Sequence, residues 1–221
     1  MPQILNKPKQ SFSQMLEDLR SMSDLKWGLY AFEQDVVWKS KLTKVEKQHI
    51  INEAIICGYN WAEHVKKTHG DHTVTELADR YHLKVESDAS GQMTNRIAYA
   101  IYTPPRTITL MTEPIAKVRQ LLNAYSLFST THLPDIILAH ELFHHIESNE
   151  KDIYTQAKQV TLWRFLFYKH RSQIRATSEI AAMSFSKQMN GLDFSPFVLD
   201  FLLIYAYNPL RAGEMYQQLI Q

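Results

Sequence analysis

The sequence predicts an α+β fold that is mostly α, with a small antiparallel or mixed sheet packed on one buried helix and extra helices at the N-terminus. Three observations predict it. Two threonine-led capping boxes, Thr43 with Glu46 and Thr73 with Glu76, open helices in the first third of the chain. Strand-like patterning is confined to residues 83–111 and is broken by Pro104-Pro105, which cannot continue a ladder. The segment Pro134–Ser148 carries Ile136, Ile137, Leu138, Ala139, Leu142, Phe143 and Ile146, and a helix apolar on most sides is a buried one.

Taken in order, residues 1–10 read as a loosely attached tail. Ser11–Arg20 and Asp24–Lys39 read as helices whose apolar faces include Leu16, Leu19, Leu29, Phe32 and Val36. The helix from Thr43 runs through Ile50, Ala54, Cys57 and Val65 to Gly70, with Lys66 and Lys67 in its last turn, as the helix dipole favours. A short helix follows Thr73. Leu83-Lys84-Val85-Glu86 alternates with period two, Asp88–Gly91 is a turn cluster, and Arg96–Tyr102 and Thr107–Met111 are rich in strand formers. About three strands result. Thr112 is placed to cap a helix running to about Phe128, with Pro114 in its first turn. Lys151–His170 reads as a helix with an aromatic core face (Trp163, Phe165, Phe167, Tyr168), and Ser172–Asn190 as another, ended by Asn190-Gly191 with Leu192 behind it. Ser195-Pro196 and Pro209 open the last two.

Composition sets broad bounds. The chain has 221 residues, 45% hydrophobic and 21% charged, with a formal net charge of +1. That suffices for one domain with an added subdomain, and it does not favour a charge-driven nucleic-acid surface. The basic run Lys39, Lys41, Lys44, Lys47 reads as a solvated helix face. Cys57 is the single cysteine, so no intramolecular disulfide forms and the residue reads as a small buried hydrophobe. The N-terminus lacks a signal-peptide pattern and no apolar run is long enough to span a bilayer, so a cytoplasmic location with no membrane partner is expected.

His140-Glu141-Leu142-Phe143-His144 carries the chemistry. Histidines four residues apart on a helix lie on nearly one face, where two imidazoles can share an ion. Glu141 is too close to His140 in sequence to serve easily as a third ligand, and it can act as general base on a water held by the metal. A catalytic zinc usually takes three protein ligands and one water. Glu179 is the preferred third ligand, because it lies among Ala176, Ala181 and Ala182, small residues that let two helices approach closely. Glu147, Glu150 and Asp152 compete, but the chain would have to fold straight back; His170 is weaker, and His145 points about 100° away from His144. Tyr102, His132, Arg175, Tyr205 and Tyr207 are available as oxyanion donors. One Zn2+ per chain is expected.

Thr73–Glu86 (TVTELADRYHLKVE), the β-segment Arg106–Leu110, the HExxH helix and Glu179-Ile180-Ala181-Ala182-Met183-Ser184-Phe185 together resemble ImmA/IrrE-like metallopeptidase domains over residues 73–205. The resemblance implies a zincin-like, gluzincin-type fold, with His140, His144 and Glu179 as metal ligands and Glu141 as catalytic base. It also implies a cleft lined by the strand near Thr107–Met111, which would pair with an extended substrate. It divides the chain into a helical N-terminal extension, 1–70, and a zincin-like metallopeptidase domain, 71–221. Phe143 departs from the family, which commonly has a small residue there. Many relatives cleave or regulate a helix-turn-helix repressor, and this chain carries no recognisable DNA-binding domain.

The expected function is therefore zinc-dependent hydrolysis of a peptide bond with narrow specificity, acting on a peptide or protein substrate such as a regulatory protein, without direct nucleic-acid binding. The alternative is a non-catalytic regulatory or binding protein with a structural metal site. A zinc hydrolase acting on a non-peptide amide is a third, weaker option.

Overall fold

The fold was analysed in a computed structural model, which describes residues 10–221 apart from 36, 39, 90–91, 94–95, 126–132, 158 and 166–167, with backbone alone for 92–93, 96, 159–165 and 168–172. The expected tail at 1–9, the tip of the 88–91 turn and His132 lie outside the described residues.

The N-terminal helices begin where their caps predict. Ser11 caps α1 (Phe12–Arg20) and Ser23 caps α2 (Asp24–Gln34), each side chain accepting a backbone N–H three residues on. Helix α2 stops at Gln34, short of the expected Lys39. Asp35 Oδ1 takes the amides of Val37 and Trp38 at 3.1 and 3.2 Å, which offers the backbone a turn in place of a further helical rung. Both capping boxes form, opening α3 (Lys44–His69) and α4 (Val74–Arg80). Lys47 is not on a solvated face: it is buried and pairs with Glu33 at 3.0 Å.

The sheet is mixed and has the order β1 (Lys84–Asp88), β5 (Thr107–Met111), β4 (Ala100–Thr103), with β1 parallel and β4 antiparallel to β5. A minor hairpin, β2 (Gln92–Met93) with β3 (Arg96–Ile97), lies between β1 and β4 in the chain. Strand β5 has a neighbour on both sides, so the strand expected to receive substrate is the central one, and β1 and β4 are the edges. Thr112 is the first residue of α5 (Thr112–Tyr125) and not its cap; its hydroxyl donates to the Asp88 carbonyl at 3.1 Å, joining the helix to the end of β1.

Helix α6 (Leu133–Asn149) carries the HExxH motif and packs against β4. The segment after it departs from expectation. Residues 151–170 do not form a helix; a single turn, α7 (Tyr154–Ala157), is followed by an antiparallel hairpin, β6 (Gln159–Phe165) and β7 (Tyr168–Gln173), irregular between Thr161 and Trp163. Of the aromatic residues read as a helix face, Trp163, Phe165 and Tyr168 lie in these strands; such residues suit a strand as well as a buried helix face, and the pairing of β6 with β7 decides. Ser172 consequently belongs to β7, and α8 starts later, spanning Arg175–Met189. Its end matches the sequence signal: Gly191 adopts φ +60°, and the amide of Leu192 returns to Lys187 O at 3.0 Å. Helices α9 (Val198–Tyr207) and α10 (Pro209–Ile220) complete the chain.

Helix α8 lies between α3 and α6. Ser184 Oγ ties it to Ile55 O of α3 and Ser186 Oγ to Ile136 O of α6, both at 2.7 Å. One apolar core runs from Trp27 and Ile51 through Phe143 and Phe185 to Phe201, so packing crosses the sequence boundary at residue 70. Phe143 has no exposed surface; it sits against Phe185 with ring centroids 5.6 Å apart and fills the α6–α8 interface where a small residue would leave space. Among the described residues, no helix is long and apolar enough to cross a membrane.

Candidate metal centre

The helical repeat puts His140 and His144 one turn apart on the face of α6 that meets α8. Their Nε2 atoms lie 3.0 Å apart, and His140 Nε2 lies 3.5 Å from Glu179 Oε2 of α8. One donor atom from each of the three lies within 4.8 Å of the others. Tetrahedral zinc with ligand bonds of about 2.0–2.2 Å separates its donors by about 3.3 Å. The observed spacings bracket that value, so two imidazoles and a carboxylate are arranged as a donor set that could hold one such ion. His140 is 15% and Glu179 42% exposed, so the site opens to solvent on the Glu179 side.

The neighbouring charges are strongly coupled. Burial draws the His140 imidazolium down, but Glu179 and then Glu141 oppose it and hold its pKa up at about 9. Burial pushes the Glu179 carboxyl up, and it is overcome by His140, His144 and Arg175, which bring it to about 2. Asp200 on α9 is raised to about 7 by burial and by the charge of Glu179. Glu141 is buried at the same turn of α6.

Glu147, one of the competing ligands, occupies a different position. Its Oε2 lies 3.3 Å from His144 Nδ1, the ring nitrogen other than the one that approaches His140, and accepts from Ser178 Oγ at 2.6 Å. Glu150 and Asp152 line a separate surface depression with Trp61 and Tyr154. The side chain of His170 is outside the described residues. His145 is turned from the centre and lies between the rings of Tyr81 and Tyr102, with its Nδ1 3.1 Å from the Tyr102 hydroxyl. The same hydroxyl donates to Pro105 O at 2.7 Å, so the network fixes the β4–β5 turn to the HExxH helix.

Of the expected oxyanion donors, Tyr102 is engaged in that network and Tyr207 donates to Glu113. Tyr205 packs on Phe12 and Phe201. Arg175, in the first turn of α8, is the one whose charge acts on Glu179. One contributor was expected in another role, and a second was not legible in the sequence. Glu147 has a usable signal, since three residues separate it from His144 on one helix face. Gly58 has none, because its role depends on contact with a helix more than a hundred residues away: a Cβ there would lie 2.1 Å from Ala181 O.

No protein-family model matches the chain, and no characterised protein or solved structure does so either.

Proposed function

We propose that the chain is a zinc-dependent metallopeptidase of the gluzincin type, with a zincin-like catalytic unit related to ImmA/IrrE-like domains. The carrying observation is the convergence of His140 Nε2, His144 Nε2 and the Glu179 carboxylate, with Glu141 buried beside them. These three residues would hold the ion. Bound zinc would supply Lewis-acid polarisation of the scissile carbonyl and acidify the attacking water.

The remaining work falls to the chain. Glu141 accepts the proton released as water attacks and returns it to the leaving amine. Arg175 is the cation available to a developing oxyanion. Strand β4, at the edge of the sheet and packed on α6, offers its free side to an extended substrate, in place of the central β5. A folded regulatory protein with an accessible extended segment is the substrate class that fits such a strand.

Metal analysis of wild type, His144→Ala and Glu179→Ala tests the ligand set: about one zinc per wild-type chain and much less in each variant is expected. Equal zinc in all three refutes the site. Zinc-loaded Glu141→Gln should lose cleavage of a peptide library by about 100-fold or more while retaining its metal. Activity unchanged in that variant refutes the peptidase mechanism and leaves a structural metal.

A further inference from the structure

We propose that Glu147 and Ser178 act as a positioning pair for His144, fixing the tautomer and ring orientation of one ligand while setting the spacing of the helix that supplies another. The inference rests on the zinc-site reading above and deepens it. A metal-ligating histidine uses one ring nitrogen for the ion and gives the other N–H to an acceptor, often a carboxylate. Glu147 Oε2 is that acceptor by geometry, 3.3 Å from His144 Nδ1. A proton held on Nδ1 leaves the lone pair on Nε2, the atom that lies 3.0 Å from His140 Nε2.

The carboxylate stands in a setting that is costly for a negative charge. Glu147 is 7% exposed and sits in the last turn of α6, where the helix dipole disfavours negative charge. Its Oε1 is buried with no hydrogen-bond partner among the described residues. The buried hydroxyl of Thr155 also bears on this carboxylate, and at Oε2 Ser178 donates at 2.6 Å and lies 3.4 Å from the same His144 nitrogen.

Ser178 immediately precedes Glu179. The Ser178–Glu147 bond therefore joins α8, one residue before the third donor, to α6, three residues after the second. One carboxylate governs both the ring of His144 and the separation of the helices that bring Glu179 to it. His140 has no equivalent: its Nδ1 is buried and without a partner among the described residues.

The test compares wild type, Glu147→Gln, Ser178→Ala and the double variant by zinc affinity, measured by chelator competition. His144→Ala serves as the reference for a lost site. Glu147→Gln keeps the shape of the side chain and is expected to weaken zinc binding by about 10–100-fold. Ser178→Ala should weaken it less, and the double variant should be no weaker than Glu147→Gln alone, because Ser178 acts through Glu147. In metal-free protein, long-range 1H–15N spectra should show neutral His144 protonated on Nδ1 in wild type and a tautomer mixture in Glu147→Gln, a change that loss of packing alone would not produce. Wild-type affinity in Glu147→Gln, with His144→Ala unable to bind, overturns the positioning pair and leaves the zinc site standing. Zinc bound equally by wild type and His144→Ala overturns the zinc site itself, while the tautomer spectrum still decides the pairing. Nε2 protonation of His144 in the wild type refutes the pair.

Discussion

Replacing Gly58 with alanine tests whether the α3–α8 contact sets the geometry of the candidate metal centre. The added Cβ would lie 2.1 Å from Ala181 O and 2.9 Å from both Ala181 C and Phe185 N, all backbone atoms of α8. Real Cβ contacts stay beyond 3.0 Å, so the two helices must part by about 0.9 Å, the difference between 3.0 and 2.1 Å. Two effects oppose each other. Alanine gains about 1 kcal/mol over glycine in a helix interior. Overpacking a buried contact costs about 1–3 kcal/mol, and the upper end applies because a backbone atom cannot rotate aside as a side chain can. The net expectation is a loss of about 2 kcal/mol, or about 4–8 °C in Tm for a chain of this size. The displacement also has a direction. Ala181 and Glu179 are two residues apart on α8, so they face about 200° from each other. Moving Ala181 away from α3 drives Glu179 towards the histidines and disturbs the 3.5 Å approach to His140. Zinc affinity should therefore fall together with stability. Chemical denaturation of metal-free protein and chelator competition measure the two effects. Gly213→Ala is the control, because a Cβ at that helical position meets nothing within 4 Å, and it should stabilise by about 0.5–1 kcal/mol. Stability of Gly58→Ala at or above wild type would show that α8 yields freely and that the close approach does not fix the site.

Three further outcomes can be checked. In chelator, the His140–Glu179 pair should stabilise the fold most between about pH 4.5 and 6.5, where both groups are charged. His140 has a raised pKa, so its contribution is complete below 6.5 and is lost as pH rises through about 9; that of Glu179, whose pKa is depressed, is lost as pH falls towards about 2. Thermal melts of wild type and Glu179→Gln across pH 5–9 should converge at the alkaline end, and parallel curves would refute the pairing. Because zinc must displace the proton on His140, its affinity should also rise by about tenfold per pH unit below 9. Tyr99→Phe removes a buried 2.8 Å hydrogen bond to Leu199 O, the link from the sheet region to α9, and should cost about 1 kcal/mol in urea denaturation; an unchanged midpoint shows that the link contributes nothing net.

What could be read from the chain follows the range of the interactions involved. Helix starts at Thr43 and Thr73 and the helix end at Asn190-Gly191-Leu192 were legible because each depends on groups within a few residues of one another. The approach of Glu179 to the histidines was legible at longer range because the neighbouring alanines mark a close helix contact. The hairpin at 159–173 was not, since an aromatic-rich run suits a buried helix face or a strand, and the choice lies in pairing that single-residue preferences do not specify. Gly58 and the Glu147–Ser178 bond lay outside a local reading for the same reason, yet they bear most directly on the centre. His140, His144 and Glu179 supply donor atoms, but the spacing of those atoms depends on how α8 is held. Gly58 lets it approach from one side, Phe143 and Phe185 fill the other, and Ser178, Ser184 and Ser186 tie it to both neighbours. A change at the α3–α8 contact is therefore expected to reach Glu179 from the N-terminal helices without touching any residue that would hold the metal.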